Sequence, residues 1–370
     1  VERVQRCWRS VPVAWLSGVR RVGKTTLGRE IAGAEVYNCD LPSVAARLAD
    51  PEHFFATVGA RVLVLDEVHQ LEDPSRVLKI AADEFPALRV LATGSSTLAA
   101  TMKFRDSLAG RKRAVHLVPV LATELDAFGV RDLRIRLLHG GLPGALLAET
   151  RDPEFYAEWL DSFFARDIQE LFRVEKRAAF LRLVELLLRQ SGGLAEVTAL
   201  GRGAGLSRPT VMNYLEILQL THAVTLLRPF HGGGRQELLH QPKIYAFDTG
   251  FVAHARGWDE LRDEDCGVLW EHVVLEHLQA TLDATKLHYW RDKSQREIDF
   301  VIPRRGGCDA IECKWRASGF DPAGLIAMRA LHPRGRNIVV VPHGRVHDRR
   351  FGELEVTITP IAELTALLQA

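Results

Sequence analysis

The sequence has no apolar run near the ~20 residues that a membrane-crossing helix needs, and no charged, apolar and small-residue opening of the signal-peptide kind. A cytoplasmic protein is therefore expected. Cysteine is scarce: Cys7, Cys39, Cys266, Cys308 and Cys313 are odd in number and scattered, with no C-x-x-C pair and no histidine spacing that suggests zinc. A disulfide framework and a zinc module are excluded, and reduced thiols in or near cores are expected. An excess of one charge is also missing. With 48 Lys and Arg against 47 Asp and Glu, the net charge of +1 cannot drive indiscriminate binding to nucleic acid or membrane, and any polyanion must be gripped by a local patch. Repeats and low-complexity tracts are absent. What remains is a chain of 370 residues, 47% hydrophobic and 26% charged, long enough for two or three globular domains.

The first third alternates short β-rich runs with helical patterns. Val13 to Ser17, Arg61 to Leu65 and Leu88 to Ala92 read as strands, the second continuous in its apolar character as a buried parallel strand should be. A helix is expected from Lys24 to about Ala32. From Asp152 the pattern turns helical, with Phe155, Trp159 and Phe163 in one stripe and Phe180, Leu181, Val184, Leu187 and Leu188 in another. Ser207 reads as an N-cap before Pro209, and Val211, Tyr214, Leu215 and Leu218 line the face of the helix that follows. A strand from Ala223 to Leu227 would complete a winged-helix-like unit. Gly232-Gly233-Gly234 is the clearest linker, and mixed α/β patterning resumes beyond it, with strands at 243–247, 287–290, 298–302, 310–314 and 337–341 and a helix at 268–282. The division expected is 1–130, a connector at 131–151, then 152–231 and 232–370.

Gly18-Val19-Arg20-Arg21-Val22-Gly23-Lys24-Thr25 matches G-x-x-x-x-G-K-[ST] between a predicted strand and a predicted helix, the context a phosphate-binding loop requires. Its glycines let backbone N–H groups point inward, and Lys24 reaches the outer phosphates. Gly18 to Lys24, Thr25 and Thr26 are the expected nucleotide contacts, with the Thr25 hydroxyl on Mg²⁺. Val62-Leu63-Val64-Leu65-Asp66-Glu67 is an apolar strand closing on two acids, the Walker B arrangement, in which Asp66 holds the metal and Glu67 polarises the attacking water.

These motifs, with Thr93-Gly94-Ser95-Ser96, Leu108-Ala109-Gly110-Arg111, Gly140-Gly141-Leu142-Pro143, Phe164-Ala165-Arg166-Asp167 and Phe247-Asp248-Thr249-Gly250, resemble a prokaryotic family of AAA-type ATPases over nearly the whole chain. Its members carry a C-terminal domain of unknown function resembling restriction-endonuclease folds. The resemblance implies an α/β fold with a P-loop parallel sheet, then a helical winged-helix-like module, then a mixed α/β endonuclease-like domain. It implies ATP with Mg²⁺ as ligands. Ser95 is placed to sense the γ-phosphate, and Arg111 stands where AAA-type proteins put an arginine that reaches phosphate across a subunit interface, which would require an oligomer. Arg111-Lys112-Arg113 reads equally as a solvated basic turn.

In the last third, Asp299 and Glu312-Cys313-Lys314 have the D…[D/E]-x-K spacing of PD-(D/E)xK nucleases, although Ile298 stands where that motif has proline. On a strand, Glu312 and Lys314 share a face. Asp299 and Glu312 would hold Mg²⁺ and Lys314 would orient or deprotonate water; Glu271 matches the helical acid of that family. Basic clusters at Lys103 with Arg105, at Arg111 to Arg113, and at Arg334 with Arg336, Arg349 and Arg350 read as phosphate-backbone contacts or as solvated faces. Arg202, Arg208 and Asn213 lie near the recognition position of the winged-helix-like unit, where a structural role is the favoured reading. Two functions stand: an ATPase whose nucleotide state controls a nuclease-like domain acting on DNA or RNA, or a nucleotide switch whose silent nuclease-like domain binds a protein partner.

Overall fold

Five short strands rich in apolar and β-branched residues build the first sheet: β1 (Val13–Ser17), β2 (Ala34–Asn38), β3 (Val62–Asp66), β4 (Arg89–Thr93) and β5 (Lys112–His116). They are parallel, in the order β2-β3-β4-β1-β5. Strand alternation sends Val13, Trp15, Leu63, Leu65, Val90 and Ala92 into one core and Ala14, Leu16, Val64 and Leu91 into another. Burial on both faces is why these strands read as unbroken apolar runs. The computed structural model describes residues 1–94, 102–169, 172, 174, 176–231, 241–282 and 287–369.

The three strands expected in this region are present, β3 and β4 each displaced by one residue. Strands β2 and β5 were not expected. Both are edge strands with mixed exposure, and in β5 the charges of Lys112 and Arg113 mask the pattern. Edge positions need no second buried face, so their sequences carry no continuous apolar signal.

The chain divides into two packed units. One comprises Val1–Val118, Asp161–Arg173 and Leu220–His222; the other comprises Pro119–Leu160, Val174–Gln219 and Ala223–Ala370. In the second, eight strands among the described residues form a mixed sheet: β6 (Val224–Pro229), β7 (Lys243–Ala246), β8 (His288–Arg291), β9 (Glu297–Arg304), β10 (Gly307–Cys313), β11 (Asn337–Val341), β12 (His347–Phe351) and β13 (Leu354–Pro360). Their order is β12-β13-β11-β10-β9-β8-β6-β7. The β9–β10 pair is antiparallel, whereas β10, β11 and β13 run parallel. Leu325 and Met328 of the helix Ala323–Leu331 share a core with Ala310, Val339 and Ile358.

This partition differs from the one read in the sequence. The glycines at 232–234 lie outside the described residues, but β6 before them and β7 after them pair antiparallel, Val224 opposite Ala246. Hydrogen bonding thus carries one sheet across the boundary expected at 231/232. The helices Val197–Ala204 and Arg208–Leu220 form as expected, and the Thr210 N–H donates to Ser207 Oγ at 3.3 Å in the first turn. The strand after them joins the large sheet. Within 131–151, expected as a connector, the helix Leu133–His139 buries Arg136 completely, where Nε donates to the Val120 carbonyl at 2.7 Å and Nη2 pairs with Glu276.

Candidate active site

The loop after β1 reverses tightly before the helix Lys24–Arg29. Gly18 has φ 150° and a side chain there would place Cβ 2.5 Å from the Leu117 carbonyl oxygen; Gly23 has φ 102°. Only glycine meets both demands at low cost. Arg21, with φ 61°, adds a third left-handed turn to the loop. Such a sequence of turns makes successive peptide N–H groups converge on an anion. Lys24 Nζ donates to the carbonyls of Gly18 at 3.0 Å and Val19 at 3.1 Å, so the ammonium already lies across the loop it would share with phosphate. Burial lowers the Lys24 pKa, while Glu67, Asp167 and Asp66 pull it back up.

Strand β3 delivers the acids to the same end of the sheet. Thr25 Oγ1 donates to Asp66 Oδ2 at 2.7 Å, and Thr93, at the end of β4, donates through Oγ1 to Asp66 Oδ1. The Glu67 N–H donates back to Thr93 Oγ1 at 3.1 Å. Glu67 itself is held at φ 57°, a left-handed conformation that costs a non-glycine residue about 1 kcal/mol or more. Its carboxylate lies 3.2 Å from His69 Nδ1, and that hydrogen bond holds Glu67 below the usual carboxylate range. The result is a chain from Thr25 through Asp66 and Thr93 to Glu67, with Lys24 beside it. A hydroxyl and a carboxylate are hard oxygen donors, the set that suits Mg²⁺. When bound, that ion would neutralise phosphate charge.

Val19 and Val22 are buried, and Thr26 is exposed on the first turn of the helix. Arg20 Nε donates to Asp167 Oδ2 at 3.1 Å, a partner contributed by the six-residue π-helix Phe164–Gln169. Ser95 lies outside the described residues, as do the side chains of Lys103 and Arg105. Arg111 lies away from the loop of its own chain. It precedes β5, whose first residue Lys112 is in register with Val13 at the start of β1, whereas the phosphate loop follows Ser17 at the other end. Arg111 therefore sits at the opposite edge of the sheet from the loop of its own chain, in a two-point ion pair with Asp83 (Nε to Oδ1 2.5 Å, Nη2 to Oδ2 3.0 Å).

The carboxy-terminal acids do gather, but around a lysine. Asp299 on β9 accepts from the Cys313 N–H at 2.7 Å, one step beyond the Ile311–Phe300 pairing that brings Glu312 opposite it. Lys243 on β7 sends its buried ammonium among the acids, 3.6 Å from Glu271 and 4.0 Å from Asp299, and pairs with Glu297. Tyr245 donates to Glu271 at 3.0 Å. Lys314 Nζ donates to Glu312 at 2.9 Å. Burial, then repulsion from Asp299, raises Glu271 to about 7 and Glu312 to about 8. No group of three His, Cys, Asp or Glu side chains among the described residues is placed to hold a metal ion. Of the residues expected as metal ligands, Glu271 and Asp299 thus face the ammonium of Lys243, and Glu312 is engaged with Lys314.

Thr93, His69, Asp167, Lys243 and Tyr245 were not singled out as functional in the sequence. Thr93 and Asp167 lay within quoted motifs but without an assigned role. A further pair, His116 and His222, has ring centroids 4.1 Å apart in the first unit, and burial drives the His222 pKa down to about 4. Residues 106 positions apart leave no linear trace of that contact.

Comparison with known proteins places an AAA domain over residues 10–125, a domain of unknown function (DUF8612) over 130–262 and another (DUF4143) over 266–364. The second match runs through the glycines at 232–234. The uncharacterized proteins Mb2031c of Mycobacterium bovis and Rv2008c of Mycobacterium tuberculosis are each 31% identical over 326 residues, 84% of this chain and 72% of theirs. Two solved structures, described as a DNA replication initiation factor and a DNA polymerase III gamma subunit-related protein of Thermotoga maritima, are 13% and 11% identical. They cover 64% and 60% of this chain and 84% and 97% of theirs, at TM-scores of 0.25 and 0.26, too low to bear on the fold. No helix among the described residues is long and apolar enough to cross a membrane.

Proposed function

Because the chain belongs to the same family as the two mycobacterial proteins and carries an AAA domain at residues 10–125, we propose that it hydrolyses ATP with Mg²⁺ at the loop Gly18–Thr25. In this reading Lys24 and the loop N–H groups hold the phosphates, Thr25 and Asp66 hold the metal, and Glu67 polarises the attacking water. The carrying observation is the hydrogen-bonded chain Thr25–Asp66–Thr93–Glu67 beside the Lys24 ammonium. It gives each carboxylate a fixed direction, and preorganised charge is where phosphoryl transfer gains most of its rate.

For the carboxy-terminal segment we propose the silent reading over the nuclease. Lys243 and Lys314 neutralise the acids that a nuclease would need for metal, so the domain serves as a platform whose partner is controlled by the nucleotide state. Lys24→Ala should abolish ATP binding, whereas Glu67→Gln should bind ATP and stop turnover. Wild-type hydrolysis by Glu67→Gln would place the catalytic carboxylate elsewhere. Purified protein with Mg²⁺ or Mn²⁺ should leave single- and double-stranded DNA and RNA intact; cleavage that Asp299→Ala abolishes would restore the nuclease reading.

A further inference from the structure

We propose that Arg20 is the arginine with which this chain reads the outer phosphate of ATP in cis, and that Asp167 is the counter-ion it holds until nucleotide arrives. The proposal rests on the ATPase reading above. Arg20 lies two residues into the phosphate loop, directly after the Gly18 and Val19 carbonyls that accept from Lys24 Nζ, so its side chain leaves from the loop itself. Its charge reaches both Lys24 and Glu67. A guanidinium is a planar fork of five donors that matches a phosphate edge in a two-point contact, which an ammonium cannot do.

Asp167 comes from 147 residues further along the chain, in the segment Asp161–Arg173 that returns to the first unit. It lies in a π-helix, an irregular turn that recurs at functional sites. Its carboxylate accepts from Arg20 Nε at 3.1 Å, with the side chains 30% and 19% exposed. Burial raises the pKa of Asp167 in spite of Arg20 and Lys24 nearby. A partly desolvated carboxylate of that kind is a replaceable anion, since ion pairing recovers little more than desolvation costs. An arriving phosphate oxygen carries more charge and would exchange with it. Arg111 cannot take this part within its own chain, because it sits at the other edge of the sheet.

The test uses the full chain. In a Glu67→Gln background, which stops turnover, the affinities for ATP and ADP are measured with Mg²⁺ for Arg20→Gln, Arg20→Lys and Asp167→Asn. Arg20→Gln should weaken ATP by about 10- to 100-fold, and ADP far less, since only ATP carries the outer phosphate. Arg20→Lys should recover only part of that loss. Asp167→Asn should tighten ATP several-fold. With Glu67 intact, Arg20→Gln should cut turnover by about 10³-fold. A merely structural ion pair would weaken ATP and ADP alike in both variants, and that outcome overturns the proposal. Should Arg20→Gln fail to fold, Asp167→Asn decides: an unchanged ATP-to-ADP preference sinks the exchange. Absence of nucleotide binding by the Glu67→Gln parent and the wild type would instead end the ATPase reading.

Discussion

Thr93 tests whether the active-site carboxylates are positioned by hydrogen bonding or merely lie near one another. Valine replaces it with almost no change of volume and removes the hydroxyl. Two buried groups then lose their partner: Asp66 Oδ1, which accepts from Thr93, and the Glu67 N–H, which donates to it at 3.1 Å. Each orphaned group costs about 1–3 kcal/mol. Asp66 keeps the Thr25 hydroxyl at 2.7 Å, which favours the lower half of that range and a sum of about 3 kcal/mol. If the whole loss falls on the arrangement that turns ATP over, the rate falls on the order of 100-fold. Glu67 should suffer most, because its left-handed backbone has lost the bond that fixes it. Steady-state hydrolysis and urea unfolding would be followed for Thr93→Val and Thr93→Ser. Serine keeps the hydroxyl and should restore most of both quantities. Thr93→Val with wild-type turnover would refute the reasoning.

Arg111→Ala should leave ATP turnover within about twofold of wild type, because an exposed ion pair at the far edge of the sheet contributes little; a hundredfold loss in a phosphate-release assay would place it in a neighbouring subunit's site. Lys243→Met should destabilise the protein by about 3–5 kcal/mol in urea unfolding, since it strands the half-buried carboxylate of Glu271 and the buried one of Asp299. An unchanged midpoint would mean that those acids are neutral without it. His272, buried and bonded to Ser191 Oγ at 2.6 Å, has its pKa pushed down to about 4, first by burial. Its folded pKa is below its unfolded value, so its contribution is complete above pH ~6.5 and is lost as pH falls through about 4, a span worth ~3 kcal/mol. The stability gap between wild type and His272→Gln should shrink by that amount between pH 7 and pH 4; a gap independent of pH would contradict a buried neutral imidazole.

The local structure around Gly18 to Thr25 was legible because its signal is local. A glycine-rich turn, a lysine and a threonine must be consecutive to wrap a phosphate, and the apolar run of β3 must end where its acids meet solvent. Strand and helix positions for Gly18 to Thr25 and for Asp66 and Glu67 agree with that reading. The edge strands β2 and β5 were not legible, because one exposed side removes the periodic signal. Spacing from Ser95 could not place Arg111 within its own chain, because a parallel strand returns the chain to the far end of the sheet before it begins.

By itself the sequence determined the glycine-rich turn between a strand and a helix and the acid-tipped strand beside it, since these depend on residue types at short, fixed spacing. Tertiary structure alone decided who partners whom. Asp167 reaches Arg20 across 147 residues and Thr93 reaches Asp66 across 27. Lys243 enters a cluster of acids whose D…E-x-K spacing had suggested a metal. The same carboxylates hold a divalent ion or an ammonium according to which side chain folding delivers among them. Burial then sets the outcome, because charges removed from water must be neutralised by whatever cation lies within reach.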